Sequence, residues 1–102
     1  VLQWYVKEDP NLGVVEFEEF HVLKEYTNKG VGSLILKFAI KSVKNHFEKL
    51  DIVPRKIYLF VAKSNKTARN LYEKYGFEFI SEVGNLFSER KEEYFYSLDF
   101  GT

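Results

Sequence analysis

Apolar and polar positions follow two rhythms along this chain, and the switches between them mark its elements. Residues 2–6 (LQWYV) are rich in aromatic and β-branched side chains and predict a strand. Residues 8–13 (EDPNLG) hold Pro, Asn and Gly, the residues of a turn. Residues 14–23 (VVEFEEFHVL) predict a second strand, so the first two strands make a hairpin. From residue 29 to residue 50 the rhythm becomes helical. Val31, Leu34, Ile35, Phe38, Ala39, Val43 and Phe47 form a wide apolar stripe, and Lys37, Lys41, Lys44, Asn45 and Glu48 fill the opposite face. Pro54 closes that connection. Residues 57–61 (IYLFV) are a continuous apolar run, the pattern of a central strand buried on both faces.

Ser64 or Asn65 then offers a helix N-cap. Ala68, Leu71, Tyr72 and Tyr75 follow at i, i+3, i+4 and i+7, which predicts a second amphipathic helix, and Gly76 stands where a helix C-terminal glycine belongs. Residues 77–83 predict a strand, 84–91 a polar loop, and 93–100 (EYFYSLDF) a last strand. The predicted order is β-β-α-β-α-β-β, without repeats.

Composition narrows the function classes. The 102 residues read as a single domain, 1–102. Ten Phe, seven Tyr and one Trp supply material for a substantial core. Fifteen basic residues balance fifteen acidic ones, which gives no electrostatic case for nucleic acid or an anionic membrane as partner. The absence of cysteine removes disulfides, thiolate metal sites and a cysteine nucleophile. No apolar run approaches the roughly 20 residues of a membrane span, and no stretch reads as a signal peptide. A cytoplasmic protein is the expectation. The chain opens on Val1 in strand-like sequence, and a segment upstream of it is expected.

The stretch VLKEYTNKGVGSLILKFAI, residues 22–40, places Gly30 and Gly32 where a strand hands over to a helix. A strand, a glycine-rich turn and a helix start together make an anion site, because free N–H groups and the helix dipole point at one spot. The plain alternative is a tight turn that needs a positive φ. A P-loop needs G-x-x-x-x-G-K-[ST], which is absent, and a dinucleotide fingerprint needs a third glycine where Ile35 stands. What remains is a pyrophosphate site with neither fingerprint.

This stretch resembles the acyl-CoA-binding segment of the GNAT superfamily of N-acetyltransferases: a hydrophobic strand, then Arg/Gln-x-x-Gly-x-Gly/Ala, then a helix. IYLFVAKSNKTARNLYEKYGFEF is similar to the family's next segment, with Asn65, Ala68, Tyr72, Tyr75, Gly76 and Phe77 in register. EYFYSLDF looks like its closing strand. The resemblance covers residues 13–100, and its two main segments stand about 30 residues apart in the right order. It implies an α+β, three-layer-like fold with a mixed, mostly antiparallel central sheet and two main helices, short at its N-terminus. Two departures stand out. The family's usual Arg or Gln falls on Thr27, and the strand and helices that usually precede this region, and often cover the acceptor site, are not in the sequence. Their absence would leave a sheet face that a homodimer or a missing segment would cover.

The resemblance implies a function: transfer of an acetyl group from acetyl-CoA, a co-substrate, to a primary amine by direct attack, with no metal. The amine would be a protein α-amino group, a lysine or a small amine. The pyrophosphate falls to the N–H groups around Asn28, Gly30, Val31, Gly32 and Ser33, with Lys29 helping, and the resemblance adds Thr27, Asn65, Ala68 and Tyr72 as further cofactor-binding residues. The pantetheine arm falls to the strand edge at His21, Val22 and Leu23, with a splay between that strand and residues 57–61 to admit it. Tyr72 is the candidate acid, since a phenol of pKa about 10 stays protonated at neutral pH and can hydrogen-bond the departing sulfur. Its alternative is a place in the apolar stripe with a wet hydroxyl. Glu16 lies 14 residues before Gly30, the spacing at which several family members carry a catalytic glutamate, and Glu18 on the same strand face is the reserve. Phe20 and Val22 share that face by parity, and Glu19 and His21 share the other. A solvated strand face is the alternative for both glutamates. His46 on the first helix is assigned no role. A non-catalytic CoA-binding or assembly domain is the competing function, and Thr27 and the short N-terminus favour it. Tyr72 and Asn65 favour the enzyme.

Overall fold

A computed structural model describes residues 2–18, 20, 30–85 and 92–100. Its elements follow the predicted order: β1 (Gln3–Val6), β2 (Val14–Glu18), α1 (Val31–Lys49), β3 (Lys56–Ala62), α2 (Lys66–Lys74), β4 (Glu78–Gly84) and β5 (Glu92–Asp99). Between β1 and β2, Asp9 caps a single turn of 3-10 helix (Pro10–Leu12) by accepting the Asn11 N–H at 3.0 Å. The strands form one sheet in the order β1-β2-β3-β5-β4. β2 and β3 are parallel, and the other three pairings are antiparallel. A parallel pair needs a long crossover connection, and α1 lies in it.

Register decides which residues meet. Trp4 pairs with Phe17, Phe17 with Leu59, Leu59 with Tyr96, and Tyr96 with Phe79, so one aromatic and aliphatic row crosses the whole sheet. Val15, Ile57 and Val61 lie on that same face by parity. Leu36, Ala39, Val43 and Phe47 of α1 and Tyr72 of α2 join them in one buried cluster, which puts both helices on this face. The α1 stripe differs in composition from the one expected. At 3.6 residues per turn, positions 36, 39, 43 and 47 share the core side, and Leu36 is fully buried. Leu34 and Phe38 project from the far side and are 67% and 73% exposed.

The other sheet face carries the row Tyr5, Glu16, Tyr58, Ser97 and Glu78. No helix among the described residues covers it. The expectation that β3 is buried on both faces therefore fails: Ile57, Leu59 and Val61 are buried, whereas Tyr58 and Phe60 are only half-buried. Their rings stand 6.3 Å apart and pack with Phe95 at centroid distances of 5.7 and 5.1 Å, an aromatic cluster on the open face.

Two expected boundaries move. α1 starts at Val31 and ends at Lys49, with Leu50 as its C-cap. Of the second strand, expected over 14–23, Val14–Glu18 is a strand, and residues 19 and 21–23 lie outside the described residues. Phe20 lies outside any strand and its ring stands 6.0 Å from that of Tyr72, on the helix side of the sheet. It therefore does not share the face of Glu16 and Glu18.

Candidate active site

The first turn of α1 is shaped as an anion site. Gly30 caps the helix with φ at 79°, in the left-handed region, and provides no side-chain cap. Its carbonyl accepts the Leu34 N–H at 3.1 Å, the first bond of the helix. The N–H groups of Val31, Gly32 and Ser33 therefore have no intrahelical acceptor, and no acidic residue in the first turn opposes an anion there. A Cβ on Gly30 would meet nothing within 4 Å, so the backbone conformation alone calls for glycine. Gly32 is an ordinary helical residue. The positive-φ reading holds for the first glycine and not for the second, whose lack of a side chain keeps the donors open. His21, Val22, Leu23, Thr27, Asn28 and Lys29 lie outside the described residues.

The β2–β3 register runs from Val14↔Lys56 to Phe17↔Leu59. β3 continues through Ala62, paired with β5 as far as Ala62↔Glu93. Phe17↔Leu59 is thus the last β2–β3 pair among the described residues.

Tyr72 lies on the helix side of this point. It is 5% exposed, and its ring contacts those of Phe20, Phe77 and Tyr96 at 6.0, 5.5 and 6.3 Å. Burial pushes its phenol well above the ordinary value, because the anion would be desolvated. The group is therefore a proton donor throughout the neutral range. α2 is fixed at both ends. Asn65 Oδ1 accepts the Ala68 N–H at 3.2 Å, so these two predicted cofactor residues form the N-cap. Gly76 N–H donates to the Glu73 carbonyl and Phe77 N–H to the Tyr72 carbonyl, the double bond that closes a helix at a C-terminal glycine. Tyr96 hydroxyl donates to Glu73, and the Arg69 guanidinium donates to the Lys63 carbonyl and stacks on Tyr94 at 4.6 Å. These contacts tie α2 to the sheet and so fix where Tyr72 sits.

Glu16 and Glu18 lie on the opposite, open face. Glu16 is half-buried, with a side chain only 14% exposed. Lys7 Nζ stands 3.1 Å from its Oε1, and the Tyr58 hydroxyl donates to the same oxygen at 3.4 Å. The Glu16 carboxylate holds the Lys7 ammonium above its ordinary pKa, and burial, with Glu16 adding to it, does the same for the Tyr58 phenol. Glu18 is the last residue of β2, one beyond the final β2–β3 pair. The structure thus places the two carboxylates on one face of the sheet and Tyr72 on the other. Lys7 and Tyr58 were not singled out from the sequence. The hairpin register carries a signal for Lys7, since Tyr5 pairs with Glu16 and Lys7 follows on the same face. Tyr58 comes from a pairing 42 residues apart, which no local pattern encodes.

Comparison with known proteins bears on the whole arrangement. Residues 4–77 match the model of the acetyltransferase (GNAT) family. An N-alpha-acetyltransferase of Saccharolobus solfataricus is 34% identical over 73 residues, which are 72% of this chain and 41% of that protein. A spermine/spermidine N(1)-acetyltransferase of Bacillus subtilis is 30% identical over 76 residues, 74% of this chain and 47% of that one. The matches thus span less than half the length of these curated relatives. Among solved structures, a GNAT family acetyltransferase from Elizabethkingia anophelis with acetyl-CoA bound superposes with a TM-score of 0.72 at 22% identity, covering 85% of this chain and 61% of that chain.

Proposed function

This chain belongs to the GNAT acetyltransferase family, and on that premise we propose that it moves an acetyl group from acetyl-CoA to a primary amine. The amine attacks the thioester carbonyl directly. A C–N bond forms, the C–S bond breaks, the amine gives up a proton and the departing thiolate gains one. The observation that carries the reading is the site's two-sidedness. Glu16 and Glu18 lie on one face of the sheet and Tyr72 on the other, beside Phe17 and Leu59, the last β2–β3 pair among the described residues. A thioester held at the edge of β2 beyond that pair would meet a proton acceptor on one side and a proton donor on the other.

The parts are assigned accordingly. The N–H groups of Val31, Gly32 and Ser33 take the pyrophosphate, assisted by the positive end of the α1 dipole. Asn65 and Ala68 line the approach from α2. The edge of the second strand beyond Glu18, with His21, Val22 and Leu23, and the turn residues Thr27, Asn28 and Lys29 complete the CoA site. Tyr72 protonates the thiolate. Glu16 takes the amine proton, directly or through one water, and Glu18 is the alternative acceptor. The acceptor is a free α-amino group, a lysine or a small aliphatic amine. Relatives with names of the first and last kinds match comparable shares of this chain.

A non-catalytic CoA-binding domain is the second reading. One observation favours it: the Glu16 carboxylate is already engaged by Lys7 and Tyr58. Thiol release from acetyl-CoA separates the two. Amine-dependent release with a peptide bearing a free N-terminus or with spermidine supports the enzyme. CoA binding without release for any amine supports the binding domain.

A further inference from the structure

On the reading that Glu16 is the base, we propose that Lys7 and Tyr58 are positioning residues, which hold one carboxylate oxygen of Glu16 so that the other faces the amine. Both partners converge on Oε1: Lys7 Nζ at 3.1 Å and the Tyr58 hydroxyl at 3.4 Å. Among the described residues Oε2 has no hydrogen-bond partner. Three strands contribute one group each, since β2 lies between β1, whose end carries Lys7, and β3, which carries Tyr58. The register fixes this meeting, with Tyr5 opposite Glu16 on one side and Tyr58 opposite it on the other.

The arrangement answers a physical requirement. A half-buried carboxylate beside an aromatic cluster is expensive unless a charge and a donor satisfy it. Lys7 supplies the charge from a side chain that remains 36% exposed. Tyr58 supplies a neutral donor, kept protonated by its burial and by Glu16 itself. Glu18 on the same face raises the affinity of Lys7 for its proton, and farther along this face Lys56 is paired with Asp99 at 3.2 Å and Glu78 lies opposite Ser97. Both helices pack on the opposite face, so no helical side chain competes for Glu16. With Oε1 held by two groups, the carboxylate plane loses its freedom to rotate.

The test compares Lys7→Met, Lys7→Arg, Tyr58→Phe and Glu16→Gln with the parent, using acetyl-CoA with spermidine and with a peptide of free N-terminus. Folding is checked by circular dichroism and CoA affinity by calorimetry. Loss of base orientation is expected to lower kcat by about tenfold in Lys7→Met, with the acetyl-CoA KM within about twofold of the parent. Lys7→Arg should recover most of that loss, because it restores the cation. Tyr58→Phe should show a smaller fall in kcat, in line with its longer contact. A parental kcat in Lys7→Met overturns the proposal, and so does an equal loss in Lys7→Arg. If Glu16→Gln itself retains the parental rate, or if no amine is turned over, the base assignment falls and this proposal with it. If Glu16→Gln is impaired and Lys7→Met is not, the base assignment stands and only the positioning role is lost.

Discussion

Phe17 pairs with Leu59, the last pair of the parallel β2–β3 register among the described residues. Everything assigned to catalysis lies around that last pair. Glu16 and Glu18 flank Phe17 on the open face, Phe20 turns back to the ring of Tyr72 on the helix side, and the chain then leads to the first turn of α1.

The first turn of α1 should hold the pyrophosphate through main-chain donors. Gly32→Val keeps helical dihedrals available but places a branched side chain among those donors. A hydrogen bond to a charged group contributes about 1.5–3 kcal/mol, so CoA affinity should drop by about tenfold or more. Calorimetry on the folded variant reads this directly, and unchanged CoA binding would remove the phosphate assignment. Gly30→Ala should act differently. The space is open, so the left-handed φ of 79° is the only cost. That predicts a stability loss of about 1–2 kcal/mol in denaturant unfolding.

Tyr72→Phe should separate chemistry from packing. The ring contacts with Phe20, Phe77 and Tyr96 survive the change, so the melting temperature should barely move. Losing a general acid costs roughly 10²–10⁴-fold, so kcat should fall while the acetyl-CoA KM holds. A variant as active as the parent would leave Tyr72 as a core residue only.

Gly13 is a structural prediction that the sequence pattern did not flag. Its φ is 69°, and a Cβ there would lie 2.3 Å from the Val53 carbonyl oxygen. Its own carbonyl accepts the N–H groups of Arg55 and Lys56 at 2.9 and 3.2 Å, which sets the start of β3 beside β2. Any side chain must displace main chain at that junction. Gly13→Ala should therefore cost more than the strain of the left-handed region alone, about 3 kcal/mol or beyond. Chemical denaturation against Gly30→Ala as the internal reference checks the ranking, and equal losses would contradict it.

What the sequence disclosed and what it withheld divide along physical lines. Period-2 and period-3.6 patterns are local, so the order of elements was legible, as were the Asn65 cap and the Gly76 helix end. Which face of an element meets the core is not local. Leu34 and Phe38 look like core residues in a helical pattern, yet they project away from the sheet, and Leu36 takes their place. The apolar run of β3 looks buried on both faces, yet both helices lie on one of them. In the candidate site, Tyr72, Glu16, Glu18 and the glycines could be named through the family resemblance. The Lys7–Glu16–Tyr58 contact needed the register of three strands.

The base assignment is tested by pH. An ammonium acceptor must lose a proton before it attacks. A lysine of pKa about 10.4 is almost wholly protonated at neutral pH, whereas an α-amino group of pKa about 8 is partly neutral already. A carboxylate that takes this proton matters most when solvent supplies little free amine. Glu16→Gln should therefore lower the rate most near neutral pH, and the deficit should shrink as pH rises toward the pKa of the acceptor. The shrinkage should come earlier with a peptide α-amine than with a lysine side chain. A pH–rate profile of Glu16→Gln that runs parallel to the parent's, with either acceptor, would remove Glu16 as the base. Glu18→Gln is the control at the next position on the same face. If it shows the recovering profile instead, the proton goes to the residue just beyond the last β2–β3 pair. If neither variant shows it, the amine arrives neutral or loses its proton through a chain of waters.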